Sequence, residues 1–330
     1  MDFKQNNLIQ VSKLITDKEL RTLFYESYVD NGCKHDFEYL NNFAPNRCPC
    51  CGKFNYVING KGPRNLNNYY CMECNNWFNL LTNTAFEGIS RPLYAYNQFL
   101  VDLFKKNYLA QDKIDEENSF RYSNFFKDLG KILFKASNHN KPFNSNKIYI
   151  HLFSYPNEVR DLTRLRNSDD LPNLIIAILT DGKKVKLRIV GTGFINRRFL
   201  LAKFSKIINT SSTIVVEDYD VFDELAAMKK LDQLVIKGTK EELKNSCLSY
   251  AISLEEHFRR FINYYSSSKV NLFTDIFISV FELVERKGTT IEDKISFTIA
   301  LFLNSYKIKD KELFRCHREK FEQDLTLNLR

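Results

Sequence analysis

The second half of the chain alternates two hydrophobic rhythms. Lys147-Ile-Tyr-Ile-His-Leu-Phe153 has the composition and length of a β-strand. Leu174-Ile-Ile-Ala-Ile-Leu179 and Lys184-Val-Lys-Leu-Arg-Ile-Val190 flank Asp181-Gly182, which predicts a hairpin. A helix is expected over 197–209. Thr213-Ile-Val-Val-Glu217 then reads as a buried strand ending in an acid. A short helix over 221–229, a strand at 234–236 and two longer helices, over 253–265 and 273–285, complete the pattern.

The first half is punctuated differently. Ser90 reads as an N-cap with Pro92 just inside a helix start. Leu93, Phe99, Leu100, Leu103 and Phe104 then supply an apolar face. A second helical unit is expected from Leu109 to Ile114, followed by a polar break over 115–119 and a helix from Phe120 to Lys135. Phe126, Leu129 and Leu133 fall on one side of that helix, and Lys127, Lys131 and Lys135 on another. A short helix, a turn and a helix with a basic outer face fit a helix-turn-helix. The polar, Pro-containing stretch 138–146 reads as a linker.

The fold class expected is α/β. An N-terminal helical region (1–45), a zinc ribbon (46–88) and a helix-turn-helix region (89–137) precede the linker. A ribonuclease H-like mixed-sheet domain (147–290), matching the β-β-β-α-β-α-β-α order, and a helical C-terminal tail (291–330) follow. At 330 residues, 44% hydrophobic and 14% aromatic, the chain can bury substantial cores, which excludes a mostly disordered protein. The longest apolar run, Leu174 to Leu179, is far short of the ~18 residues of a membrane span. The N-terminus lacks the basic-then-apolar pattern of a secretory signal. The expectation is an intracellular protein with no membrane partner, in the cytoplasm or nucleoid of a bacterium or the nucleus of a eukaryote.

Charge changes the picture only locally. The net charge is +8, and residues 46–147 carry 14 basic and 8 acidic side chains of it, a net +6. A local basic surplus attracts polyanions, and nucleic acid is the usual one.

Six of the eight cysteines lie before residue 75. Cys48-Pro-Cys-Cys51-Gly52 and Cys71-Met-Glu-Cys74 form two knuckles, with 19 residues between Cys51 and Cys71. Each C-x-x-C turn presents two thiolates on one side of a tight loop, and two such turns close a tetrahedron around Zn2+. Gly52 supplies the permissive backbone at the end of the first knuckle. The pattern favours Cys51 as ligand, with Cys50 the alternative. Cys33, Cys247 and Cys316 are expected in cores. Lys53, Lys61 and Arg64 put positive charge on the ribbon. Trp77 is expected to pack the ribbon onto the next element.

On these residues the chain resembles the insertion-sequence transposases that carry an N-terminal zinc ribbon, the ISXO-like group. Members combine C-P-x-C-G and C-x-x-C knuckles with a T-G-T-x-F-E segment, a helix-turn-helix and a DDE-type ribonuclease H-like domain. Here Phe78-Asn-Leu-Leu-Thr-Asn-Thr-Ala-Phe-Glu87 carries that segment, with Asn83 in place of the glycine. The resemblance covers about residues 17–287, most specifically from the ribbon to Glu87.

Carried over to this sequence, the three catalytic positions are His151, Glu217 (with Asp218 as neighbour) and Glu255. The first is an aspartate in the family. Such enzymes cut and join DNA strands with two divalent ions clamped between carboxylates. Imidazole donates one lone pair and cannot bridge two ions. A His151/Glu217/Glu255 set is expected to hold at most one softer ion, and Mg2+ or Mn2+ enters only if catalysis survives. The resemblance therefore implies a DNA-binding protein of transposase descent with impaired catalysis, structural Zn2+ and self-association as a dimer or larger assembly. The alternatives are an active metal-dependent transposase and a zinc-ribbon module for RNA or protein.

Overall fold

A computed structural model describes residues 38–42, 44–62, 65–88, 93–110, 116–136, 142–155, 173–265, 274–303 and 305. The expected N-terminal helical region falls almost wholly outside these residues. So do Ser90, Pro92, Arg64, Cys33, Cys316, the first part of the stretch expected as a linker (138–141) and the tail beyond 305. The chain is mixed α/β and divides into two compact units. Among the described residues, no helix is long and apolar enough to cross a membrane.

The first unit draws its described residues from three stretches, up to Asn107, Asn124–Ile132 and from Thr289 onward. Its sheet is the antiparallel ribbon β1 (Tyr56–Lys61), β2 (Asn67–Cys71) and β3 (Trp77–Phe78), in the order β1-β2-β3. Tyr69, Phe78, Cys48 and Cys71 are its buried core, with the Tyr69 and Phe78 rings stacked at 5.5 Å. Helix α1 (Leu93–Phe104) buries Phe99, Leu100, Leu103 and Phe104, the face its spacing predicts.

Helix α2 (Glu116–Ala136) starts earlier than its sequence suggests. Glu116–Ser119, expected as a break, lie inside it, and the stretch before Ala110 is a short 3-10 turn, Asn107–Leu109. The basic outer face is also not as expected. Lys135 is exposed and Lys127 is half-buried, but Lys131 is only 5% exposed, between the buried Leu129 and Ile132. The three lysines therefore do not form a continuous solvated stripe.

In the same unit, helix α8 (Ile291–Leu303) returns from far along the chain. The Ala85 N–H donates to the Phe302 carbonyl at 3.1 Å, and the Phe86 and Phe302 rings lie 5.2 Å apart. Residues 291–303 are therefore part of the ribbon unit's core and not a separate tail.

The second unit is built on a six-stranded mixed sheet in the order β7-β6-β5-β4-β8-β9. Its strands are β4 (Lys147–Tyr155), β5 (Leu174–Thr180), β6 (Val185–Thr192), β7 (Phe194–Ile195), β8 (Thr213–Glu217) and β9 (Asp232–Ile236). The antiparallel meander β4-β5-β6 turns at Asp181-Gly182 as expected. Strands β8 and β9 then add parallel to β4, after α3 (Arg197–Ile207) and α4 (Asp220–Lys229).

Strand alternation assigns the faces. Ile148, Ile150, Ala177, Leu179, Ile214 and Val216 share a core with Leu200, Phe204, Phe222 and Leu225 of α3 and α4. On the opposite face, Val215 packs with Leu248 and Ile252. That face is covered by α5 (Lys240–Lys244), α6 (Ser249–Tyr265) and α7 (Thr274–Glu285). Phe258 of α6 lies between Phe153 of β4, 6.1 Å away, and Phe281 of α7, 5.1 Å away. Cys247, expected in a core, is exposed.

Candidate functional sites: a four-cysteine cluster and a clamped histidine

The first site is the cysteine cluster. The first knuckle closes by a Gly52 N–H to Cys48 carbonyl bond of 2.8 Å, with Gly52 at φ 76, the conformation expected of that glycine. The second closes by the Asn75 N–H to Cys71 carbonyl bond of 2.9 Å. Cys48 Sγ lies 3.7 Å from Cys74 Sγ, and Cys51 Sγ 3.6 Å from Cys71 Sγ. A tetrahedral ion with metal–sulfur bonds near 2.3 Å sets its sulfurs about 3.8 Å apart. All four ligand atoms fall within 4.8 Å of one another, so the donor set fits a four-coordinate ion and is compatible with structural zinc. The first knuckle contributes Cys48 and Cys51 to the cluster. Cys50 is exposed, outside the cluster, and donates its N–H to Cys48 Sγ at 3.4 Å.

The T-x-T-x-F-E segment docks on this knuckle. Asn83 has φ 66, a left-handed conformation that glycine and asparagine tolerate best. This accounts for asparagine at the position the resemblance assigns to glycine. Its side-chain amide also donates to the Pro49 carbonyl at 3.0 Å, and its N–H to Glu87 Oε2 at 3.1 Å. Lys53 and Lys61 are exposed on the ribbon. Trp77 is 56% exposed, so it does not pack the ribbon onto the next element as expected.

The second site lies on the α6 face of the large sheet. His151 on β4 and Glu217 at the end of β8 are neighbours on adjacent parallel strands, one step past the Ile150–Val216 pair. Glu255 projects from α6 onto the same place. His151 Nδ1 bonds Glu217 Oε1, and His151 Nε2 lies 2.8 Å from Glu255 Oε2. All three side chains are buried. With both acids ionised the ring must carry two N–H groups, and it then sits as an imidazolium between two carboxylates.

Arg259, one helical turn beyond Glu255, bonds Glu255 Oε1 from Nε at 2.9 Å and donates to the Ser154 carbonyl. The i, i+4 spacing of Glu255 and Arg259 is the sequence signal that would have found this fourth member. Asp218, the neighbour option, is exposed and pairs with Lys237 at 3.1 Å, outside the cluster.

The arrangement does not fit a catalytic divalent ion. Both ring nitrogens already face carboxylate oxygens, so the imidazole presents no lone pair to a metal. Among the described residues, the four cysteines alone form a group of three or more potential ligands within 4.8 Å of one another. His151, Glu217 and Glu255, expected to hold a softer ion, instead bond one another.

The electrostatics follow. Burial alone would make the His151 proton easier to lose, but Glu217 and Glu255 outweigh it and raise its pKa above the ordinary 6.5. Burial would raise Glu255, but His151 and Arg259 outweigh it and hold its pKa below the ordinary 4.5. The two shifts give opposite linkage signs. Stability from the raised His151 is fully present below about pH 6.5 and is lost as pH rises through its folded-state value. Stability from the lowered Glu255 is fully present above about pH 4.5 and is lost as pH falls through its folded-state value. The melting-temperature difference between the natural protein and His151→Ala should therefore be largest between about pH 4.5 and 6.5 and shrink in alkali. A difference that is flat from mildly acidic to strongly alkaline pH would show that the ring's charge contributes nothing.

No protein-family model matches the chain, and no curated protein matches it.

Proposed function

We propose that this protein binds nucleic acid, with DNA as the first candidate, and has a transposase-type architecture whose cutting site has become a structural clamp. The observation that carries this is the meeting of His151, Glu217 and Glu255. These residues are 66 and 104 positions apart in sequence, and they converge from β4, β8 and α6. They are the positions to which the family resemblance assigns the catalytic acids. The meander β4-β5-β6 followed by parallel β8 and β9 supports the ribonuclease H-like reading of the sheet. The chemistry of the cluster supports loss of cutting, because metal-assisted strand transfer needs ions held between free carboxylates. The four-cysteine cluster, as a structural zinc site, holds a basic ribbon for contact with phosphates, within a segment of net +6.

The test is incubation of the full chain with end-labelled duplex and nicked DNA in Mg2+ and in Mn2+. Binding should weaken linearly in log affinity against log salt, and no metal-dependent nick or joint should form. Nicking that disappears in Glu217→Gln and Glu255→Gln would overturn the clamp reading. Failure to bind DNA or RNA at low salt would overturn the nucleic-acid reading.

A further inference from the structure

The ribbon has two faces, and only one is needed for its fold. Strand register sets Ile58, Tyr69 and Phe78 side by side on one face, where Tyr69 and Phe78 are buried. On the other face the register sets Val57, Tyr70 and Trp77 side by side across all three strands. Val57 is 49% and Trp77 56% exposed. The Tyr70 and Trp77 rings lie 5.3 Å apart, and the Tyr70 hydroxyl is held by Asn75 Oδ1 at 3.0 Å. This row spans two inter-strand spacings, about 10 Å.

A solvent-facing aromatic row costs a small domain solubility and gives its core nothing. Its surroundings point to an occupant. Lys53 and Lys61 are exposed on the same ribbon, and the Arg47 guanidinium lies 4.5 Å over the exposed Phe54 ring. The two ribbon acids are engaged within the fold, Glu73 by Asn55 and Glu87 by the Asn83 N–H. Exposed π-faces among cations complement a chain of bases and phosphates. A base offers its face to a side chain only when it is unpaired, and sheets with exposed aromatics stack two or three such bases.

We propose that Val57, Tyr70 and Trp77 form a stacking platform for unpaired bases of a single-stranded nucleic acid. The proposal rests on the nucleic-acid-binding reading above and narrows it to a strand state.

The experiment measures binding of the full chain to a labelled 12-nucleotide single strand, as DNA and as RNA, and to the duplex of the same sequence. Trp77 is the only tryptophan, so its fluorescence reports directly. The single strand should quench it. Trp77→Ala and Tyr70→Ala should each weaken single-strand binding by roughly 5- to 150-fold. Trp77→Phe should retain most of the affinity, and duplex binding should change less than twofold in all three variants. Metal content equal to that of the natural protein shows that a variant's ribbon is folded. If Trp77→Ala loses metal, the quenching and the Trp77→Phe comparison decide. Single-strand binding without quenching, or with equal losses on single strand and duplex, would overturn the platform. Duplex binding with no single-strand binding would overturn the platform alone. Binding to no nucleic acid would overturn it together with the reading it rests on.

Discussion

Cys71→Ser is expected to strip the ribbon of metal and unfold it. The natural protein should purify with about one zinc per chain, and the variant with none. The ribbon's own core contains two buried aromatic residues, Tyr69 and Phe78, and the other two buried members, Cys48 and Cys71, belong to the four-cysteine cluster. A core that small cannot offset the chain entropy of ordering the segment. Structural zinc supplies roughly 10–16 kcal/mol of apparent binding free energy in small zinc domains at neutral pH, against a typical net stability of roughly 5–15 kcal/mol for a whole domain. The metal term therefore decides whether the ribbon folds. Proteolysis should cut the variant within residues 48–78, and Trp77 emission should shift because its contact with Tyr70 is lost. Cys50→Ser should leave metal content unchanged, since Cys50 stands outside the cluster. A metal-free natural protein with a protected ribbon would refute the assignment.

His151→Ala should destabilise the second unit by roughly 3–5 kcal/mol, because it leaves Glu217 buried without its histidine partner and Glu255 with Arg259 alone. At about 2–4 °C per kcal/mol for a unit of this size, the change is easily read by calorimetry. The loss should come from unpaired charge more than from the missing ring. Adding Glu217→Gln and Glu255→Gln to His151→Ala should therefore recover part of it, a non-additivity expected of groups in direct contact. His151→Asp is the sharper variant. It places a third carboxylate in the cluster. This protein should be unstable in chelator and regain stability as Mn2+ is added, because a ligand that binds only the folded state stabilises it by mass action. The natural protein should show no such response. An equal Mn2+ shift in both would mean that a metal displaces the histidine's contacts.

The parts of this molecule written in local spacing were the legible ones. The two knuckles fix four ligands by their own intervals, and Thr213–Glu217 was placed to the residue because a buried strand bounded by polar residues has sharp ends. His151, Glu217 and Glu255 could be named one by one as candidates. Their relation could not be read, since only the β4–β8 register and the approach of α6 turn three distant residues into one hydrogen-bonded chain. Helix α2 misled for a related reason. Its lysines sit at regular intervals, but periodicity records one helix and not what packs around it, and Lys131 is buried. Trp77 misled in the opposite direction. A lone tryptophan is usually spent on packing, and the strand alternation that turns it outward with Tyr70 and Val57 emerges only once the pairing of β1, β2 and β3 is known.

The place of α8 in the ribbon unit bears on how the protein is made. Residues that support Ala85 and Phe86 are not synthesised until about two hundred codons later, at Phe302. The metal knuckles can close early, being local. The partner that Ala85 and Phe86 pack against must wait for Ile291–Leu303 to leave the ribosome, and the second unit's sheet is complete before that happens. A ribosome paused before residue 291 would hold a chain whose Phe86 lacks the ring it packs against. That is the interval in which this chain most needs a chaperone.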